Sequence, residues 1–309
     1  MPSTDAVNPS AAPETTTLGP LKVWLLAIRP KTLPAAAASV IVGTALAWYD
    51  GVFSAGPALA ALVIALLLQI GSNLANDVYD DERGADTADR LGPLRVTQSG
   101  LLSRKQVKTG MKVVLLTALA VGFYLTWVRG PMVLVIGVAA IVAAVAYTGG
   151  PWPLGYHGLG EVFVFLFFGV TAVVGTYWVQ SGTTTTAAWL MSVPVGLLIT
   201  AIIVVNNLRD IEQDRVAGKR TIAVRIGQRY TRLEYALCVM GAYACVALGV
   251  ALGILSAYAL ASWLSAPLAV VTWRIVANRE GTPLNRALAL TGQTALLFSV
   301  LFALGMLLA

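Results

Sequence analysis

Charge is what this chain has least of. Only 12% of its 309 residues are Asp, Glu, Lys or Arg and 57% are hydrophobic, against roughly 25% charged in a soluble domain, which excludes an ordinary water-soluble globule. Histidine occurs once and cysteine twice, so a His- or Cys-built metal centre is excluded. Cys238 and Cys245 share one apolar stretch at a spacing that sets them about 10 Å apart along a helix, too far for a disulfide. Residues 1–20 lack a Lys- or Arg-led apolar run and are rich in Pro, Ala and Thr. They read as a disordered tail and not as a cleavable signal peptide, leaving residues 21–309 as one polytopic domain.

What the chain has in abundance is long apolar runs. Nine of them are long enough to cross a bilayer, at about 31–48, 57–76, 108–128, 131–148, 160–180, 185–206, 232–254, 257–276 and 287–309. The expected fold is an all-α membrane protein, about nine transmembrane helices in a single bundle. Ala35 to Ala38 and the Gly241 to Gly253 region suit close packing between helices in lipid. Of the 21 Lys and Arg, only Arg129 falls in a loop on the far side of those spans. The positive-inside rule then puts the N-terminus in the cytoplasm and the C-terminus outside, as in a multi-pass protein of the plasma membrane. The net charge of +6 follows from this topology and from attraction to anionic lipid. No nucleic-acid partner is required.

The few acids are not scattered. Six of the 15 lie between Asp77 and Asp89 and three more between Asp210 and Asp214, each group at the end of an apolar stretch, where a solvated flank would show mixed charge. Asp77, Asp80 and Asp81 are spaced i, i+3, i+4 and so share a helical face. Asp210 and Asp214 repeat the i, i+4 spacing. Stacked carboxylates repel unless a cation lies between them, and hard oxygen ligands suit Mg²⁺, which keeps several waters and is shared with substrate phosphates. Asn73, Asn76, Asn206 and Asn207 lie up to a turn deeper and add neutral oxygens and amides where unsatisfied polar groups are costly. Arg209, Lys219 and Arg220 supply charge-assisted donors for a diphosphate. The chemistry expected is metal-assisted departure of diphosphate at a membrane surface.

Other residues carry weaker signals. Arg29 and Lys31 flank Pro30 before the first span, where positive charge is an ordinary topology determinant and equally a binder of carboxylate or diphosphate. Arg95 follows a Gly-Pro turn that fixes its direction. Glu161 opens the fifth span, where a carboxylate also serves the helix dipole. His157, the lone histidine, sits in a Gly-rich loop and is read as non-catalytic. Phe163, Phe165, Phe167 and Phe168 are candidates to line a cavity for an apolar tail.

Asn76-Asp77-x-x-Asp80 with Asp86, and Asp210-x-x-x-Asp214, resemble the two aspartate motifs of the UbiA-type intramembrane prenyltransferases. So do Arg29-Pro-Lys-Thr-Leu-Pro34, Gly92-Pro-Leu-Arg95 with Thr97-Gln98, Tyr147-Thr148-Gly149, Gly155-Tyr156 with Gly158-Leu-Gly-Glu161, and Gly218-Lys-Arg-Thr221, over about residues 22–230. The family's third Asp of the first motif is Gly84 here, flanked by Asp81 and Asp86 as the two candidates to complete that metal site. The resemblance implies helices around a central cavity with a side portal, closed at its cytoplasmic end by the acidic loops, and Asp77, Asp80, Asp210 and Asp214 as catalytic groups. Asp77, Asp80, Asp81, Asp86, Asp210 and Asp214 would hold Mg²⁺, as two ions bridging the diphosphate. Asn73, Asn76, Arg95, Asn206, Asn207, Arg209, Lys219, Arg220, Arg29 and Lys31 would bind substrates. It further implies transfer of a polyprenyl group from its diphosphate to the aromatic acceptor 1,4-dihydroxy-2-naphthoate, with release of diphosphate and CO2, forming demethylmenaquinone. Within the family 4-hydroxybenzoate, haem, homogentisate or a sugar phosphate are alternative acceptors. From another class, a cation-coupled transporter also carries intramembrane carboxylates, but near mid-membrane, where this chain has almost none.

Overall fold

Each of the nine apolar stretches is helical in the computed structural model, which describes residues 18–85 and 90–309. Residues 1–17, nearly all of the expected tail, and Asp86 lie outside the described residues. The helices are α1 (Pro20–Ile28), α2 (Leu33–Tyr49), α3 (Ala55–Glu82), α4 (Arg104–Arg129), α5 (Met132–Ala146), α6 (Gly160–Val164), α7 (Ala172–Ser181), α8 (Thr186–Arg209), α9 (Ile211–Val216), α10 (Ile222–Ala251), α11 (Ala266–Asn278) and α12 (Leu284–Leu307). Eight continuous helical stretches among the described residues are long and apolar enough to cross a bilayer. The ninth, α5, has 15 residues, about 22 Å of helix, short of the roughly 30 Å of hydrocarbon.

Local chemistry explains the breaks. Proline at 30 disfavours helical backbone at Arg29, which adopts the left-handed conformation (φ 56°) and separates the surface helix α1 from α2. Gly227 (φ 76°) interrupts α10 at a point only glycine occupies cheaply. A Ser103–Gln106 capping box starts α4. At the opposite end Arg129 donates through Nε to the Val179 carbonyl at 2.9 Å and also to the Gln180 carbonyl. Arg129 thus caps the C-terminus of α7.

Helix α8 is the axis of the bundle, packed by α10, α12 and the α6–α7 segment. Its central residues, among them Met191, Leu198, Val204 and Val205, are fully buried. Helices α3, α4 and α5 form a separate wall, and α5 packs mainly on α3 and α4. The space between that wall and α8 becomes the cavity. Between α6 and α7, Phe165–Thr171 is wound as π-helix, and the Phe168 carbonyl accepts a 2.5 Å hydrogen bond from Ser39 Oγ on α2.

Close backbone approach holds this segment to α8. A Cβ on Gly169 would lie 2.6 Å from the Gly196 Cα and 2.9 Å from the Ser192 carbonyl oxygen, so the two helices touch through glycine, the contact that favours helix association in lipid. Gly169→Leu is expected to cost about 1–3 kcal/mol or more by overpacking. Thermal unfolding of the purified protein in detergent checks this, and an unchanged midpoint would show that the helices separate freely.

Candidate functional site

A cavity of about 780 Å³ runs between α8 and the α3–α5 wall. Its walls are apolar and its polar residues gather at one end, where Arg29, Lys31, Asn73, Asn76, Asp80, Arg95, Asn206, Asn207, Arg209, Asp210, Asp214 and Lys219 all line it. Three of the described candidate metal and substrate ligands do not: Asp77, Asp81 and the exposed Arg220 are absent from the lining. Phe163, Phe167 and Phe168 face the cavity, whereas Phe165 packs against Gly196.

The last turns of α3 send their acids in different directions. Asp80, 3% exposed, pairs with Arg95 at 3.1 Å and with Lys219 at 3.1 Å, and accepts a hydrogen bond from Tyr156 Oη at 2.8 Å. Asp77 is fully buried and accepts the backbone N–H groups of Val96 (3.1 Å) and Thr97 (2.9 Å), with Arg29 3.6 Å away. Asp77 thus pins the loop that carries Arg95. Asp81 faces outward to Arg104 Nε at 2.6 Å. A shared helical face is therefore not a shared partner, because the chain between α3 and α4 folds back over that face.

The second cluster is built by a sharp turn. Helix α8 ends at Asp210 and the chain enters the short helix α9, which returns Asp214 and Lys219 to the cavity. Arg209 grips the neighbouring Asp210 through both carboxylate oxygens, one at 2.7 Å, and also donates to Asn206 Oδ1 at 2.9 Å and Asn285 Oδ1 at 2.7 Å. Burial, the largest cause, pushes the Asp214 carboxyl up to about 7. Lys219 opposes that rise, and the charges of Asp210 and Asp80 add to it. Acids from the two halves of the chain therefore sense one another across the same small space.

The asparagines are oriented rather than loose. Asn73 Nδ2 donates to the Ile28 carbonyl and to Thr32 Oγ1, each at 2.8 Å. Asn76 Oδ1 accepts from Thr148 Oγ1 at 3.0 Å, and Asn207 Nδ2 donates to the buried Glu161 at 2.7 Å. Tyr156 bonds Asp80 and carries Lys219 Nζ 4.7 Å above its ring, a role that residue spacing alone does not single out. The available signal was a tyrosine inside the Gly-rich loop before the fifth span. His157 stands off the cavity, stacked on Trp152 with ring centres 4.3 Å apart.

Among the described residues no three Asp, Glu, His or Cys side chains form a ready metal cage. That suits Mg²⁺, which is usually held by one or two carboxylates plus phosphate oxygens and waters. The donor set at the polar end is all oxygen: Asp80, Asp210 and Asp214 with neighbouring asparagine carbonyls. A cation among them would offset the mutual repulsion of these carboxylates, so the residues fit one.

Residues 36–301 match the model of the UbiA prenyltransferase family. The chain belongs to that family. It is 41% identical over 295 residues to the 1,4-dihydroxy-2-naphthoate octaprenyltransferase of Escherichia coli, covering 92% of this chain and 94% of that protein. The enzyme of the same name from Haemophilus influenzae is 37% identical over 305 residues, covering 93% and 96%. The fold is that of a UbiA homolog from Archaeoglobus fulgidus whose structure was determined bound to GPP and Mg²⁺ (TM-score 0.67, 16% identity, 93% of this chain and 100% of that one). The transporter alternative is set aside by this membership.

Removing the Asp77 carboxylate is expected to loosen the UbiA-type loop before it affects anything else. Asp77→Ala leaves two buried N–H groups without acceptors, at about 1–3 kcal/mol each. Hydrogen exchange at Val96 and Thr97 should accelerate while exchange in α8 stays slow; unchanged protection at both amides would mean that the loop is held by other contacts.

Proposed function

We propose that this protein transfers a polyprenyl group from its diphosphate to 1,4-dihydroxy-2-naphthoate, releasing diphosphate and CO2 and forming demethylmenaquinol, the reduced form of demethylmenaquinone. The observation that carries the reading is the convergence of carboxylates and cations from both halves of the chain at the polar end of an otherwise apolar cavity. The names of the relatives, at up to 41% identity over most of the chain, supply the acceptor.

A divalent cation, Mg²⁺ in the Archaeoglobus homolog, would supply charge neutralisation for the leaving diphosphate; Asp80 and Asn76 would hold one such ion and Asp210 and Asp214 a second. Asp77 and Asp81 support the first of these through the loop and α4. Arg209 and Lys219 stand where they donate to the non-bridging oxygens of the diphosphate. Arg95, with Arg29 and Lys31, is placed to bind the acceptor's carboxylate, and Arg220 adds charge at the rim. As the allylic C–O bond breaks, the diphosphate keeps the electron pair. The electron-rich ring attacks the allylic cation, and loss of CO2 returns the electrons that restore aromaticity. The apolar walls, Phe163, Phe167 and Phe168 among them, exclude the water that would quench the cation. In this reading the polar end faces the cytoplasm of a plasma-membrane protein, because the far side among the described loops carries Arg129 alone, and that residue is spent on capping α7.

Mass spectrometry of products formed by the purified protein from a polyprenyl diphosphate and each candidate acceptor tests the reaction. Demethylmenaquinol from the naphthoate is expected; prenylation of 4-hydroxybenzoate instead would overturn the acceptor. Chelation should stop turnover and Mg²⁺ restore it. Asp80→Ala and Asp210→Ala should each lower turnover on the order of 100-fold or more, since each removes a carboxylate that would hold the cation stabilising the leaving group. In steady-state kinetics, Arg95→Ala should raise the Michaelis constant for the naphthoate more than for the diphosphate and Lys219→Ala the reverse. An Arg95 variant impaired only toward the diphosphate would move that residue to the leaving-group site.

A further inference from the structure

The cavity continues far beyond the groups that do chemistry. From Asp80 back to Ala61, both in its lining, is nineteen residues of α3, about 28 Å of helix. Near the far end three glycines from three different helices face it: Gly122 of α4, Gly137 of α5 and Gly175 of α7. A Cβ added to any of them would meet nothing within 4 Å. They lie at one level, seven residues before Arg129, five after Met132 and six before Ser181, which is about 8–10 Å from the far ends of their helices. Three apolar side chains stand just beyond them. Leu125, Val133 and Val179, 3%, 9% and 5% exposed, pack together as a separate apolar cluster and also line the cavity.

These glycines have no packing duty of the kind that Gly169 has. Glycine within a helix costs about 0.5–1 kcal/mol relative to alanine, and here the missing side chain leaves the lower cavity open. We propose that the ring of Gly122, Gly137 and Gly175, above a floor of Leu125, Val133 and Val179, sets the length of prenyl chain that the protein accepts. The inference rests on the reading that this cavity holds the donor's tail. The ring gives the tail's last isoprene units passage, and the floor ends it. Side chains introduced at the ring narrow the bore without touching Asp80 or Asp210, so their effect depends on how far the donor reaches.

The test compares kcat/KM for octaprenyl and geranyl diphosphate, both with 1,4-dihydroxy-2-naphthoate and Mg²⁺, in the full chain. Gly137→Leu and Gly122→Leu should lower the octaprenyl-to-geranyl ratio on the order of tenfold or more, as a few carbons' misfit in an apolar pocket does. Gly137→Ala should lower it less, giving a dependence on size. Leu125→Ala, which deepens the floor, should raise the ratio for decaprenyl over octaprenyl diphosphate. Equal losses with both donors, or a ratio within about twofold of the parent protein in the leucine variants, would overturn the proposal. Failure of the unsubstituted protein to prenylate the naphthoate from any donor would instead overturn the reaction assigned above, and the two failures are told apart by that control.

Discussion

One carboxylate, Asp80, ties the mouth of this protein together. Arg95 from the loop before α4, Tyr156 from the loop before α6 and Lys219 from the segment before α10 all reach it, so three distant stretches of chain are held by a single buried anion. Such a group is tolerated only when paired and hydrogen-bonded, and its partners are as exposed to loss as it is. The arrangement fixes where the loops sit over the cavity. It also gathers the positive charge that a diphosphate requires.

The rest of the bundle obeys the opposite constraint. Away from the mouth there is no water to satisfy polar groups, so backbone bonds are closed within helices and side-chain hydroxyls turn back on carbonyls, as Thr272, Thr291 and Thr294 do. Adhesion then depends on approach distance. Gly169 against Gly196, and Gly305 under the Tyr258 carbonyl, bring backbones together where lipid offers no hydrophobic drive.

The helical spans were legible because twenty-residue apolar runs admit few alternatives in lipid, and the acidic ends of α3 and α8 were legible because charge is so rare elsewhere. The partners of those acids were not. Asp77, Asp80 and Asp81 share a face by spacing, yet their different fates are decided by Val96 and Arg95, in a loop with no periodicity to read, and by Arg104 at the start of α4. Lys219 reaches Asp80 across 139 residues, a contact that no local pattern announces. Helix α1 carries no such signal because nine residues before a Pro30 break resemble a flank, and the π-helical Phe165–Thr171 carries none because its composition is that of any apolar helix.

The floor of Leu125, Val133 and Val179 has a consequence for the membrane as much as for any substrate. A pit of about 780 Å³ lined by ionic groups at one end is most of the way to being a channel. What separates it from one is a few dry aliphatic side chains about a helical turn or two from the opposite surface, with Arg129 clamped to the carbonyls of α7 just beyond. Side chains packed in this way are what would keep water from following the cavity through a bilayer.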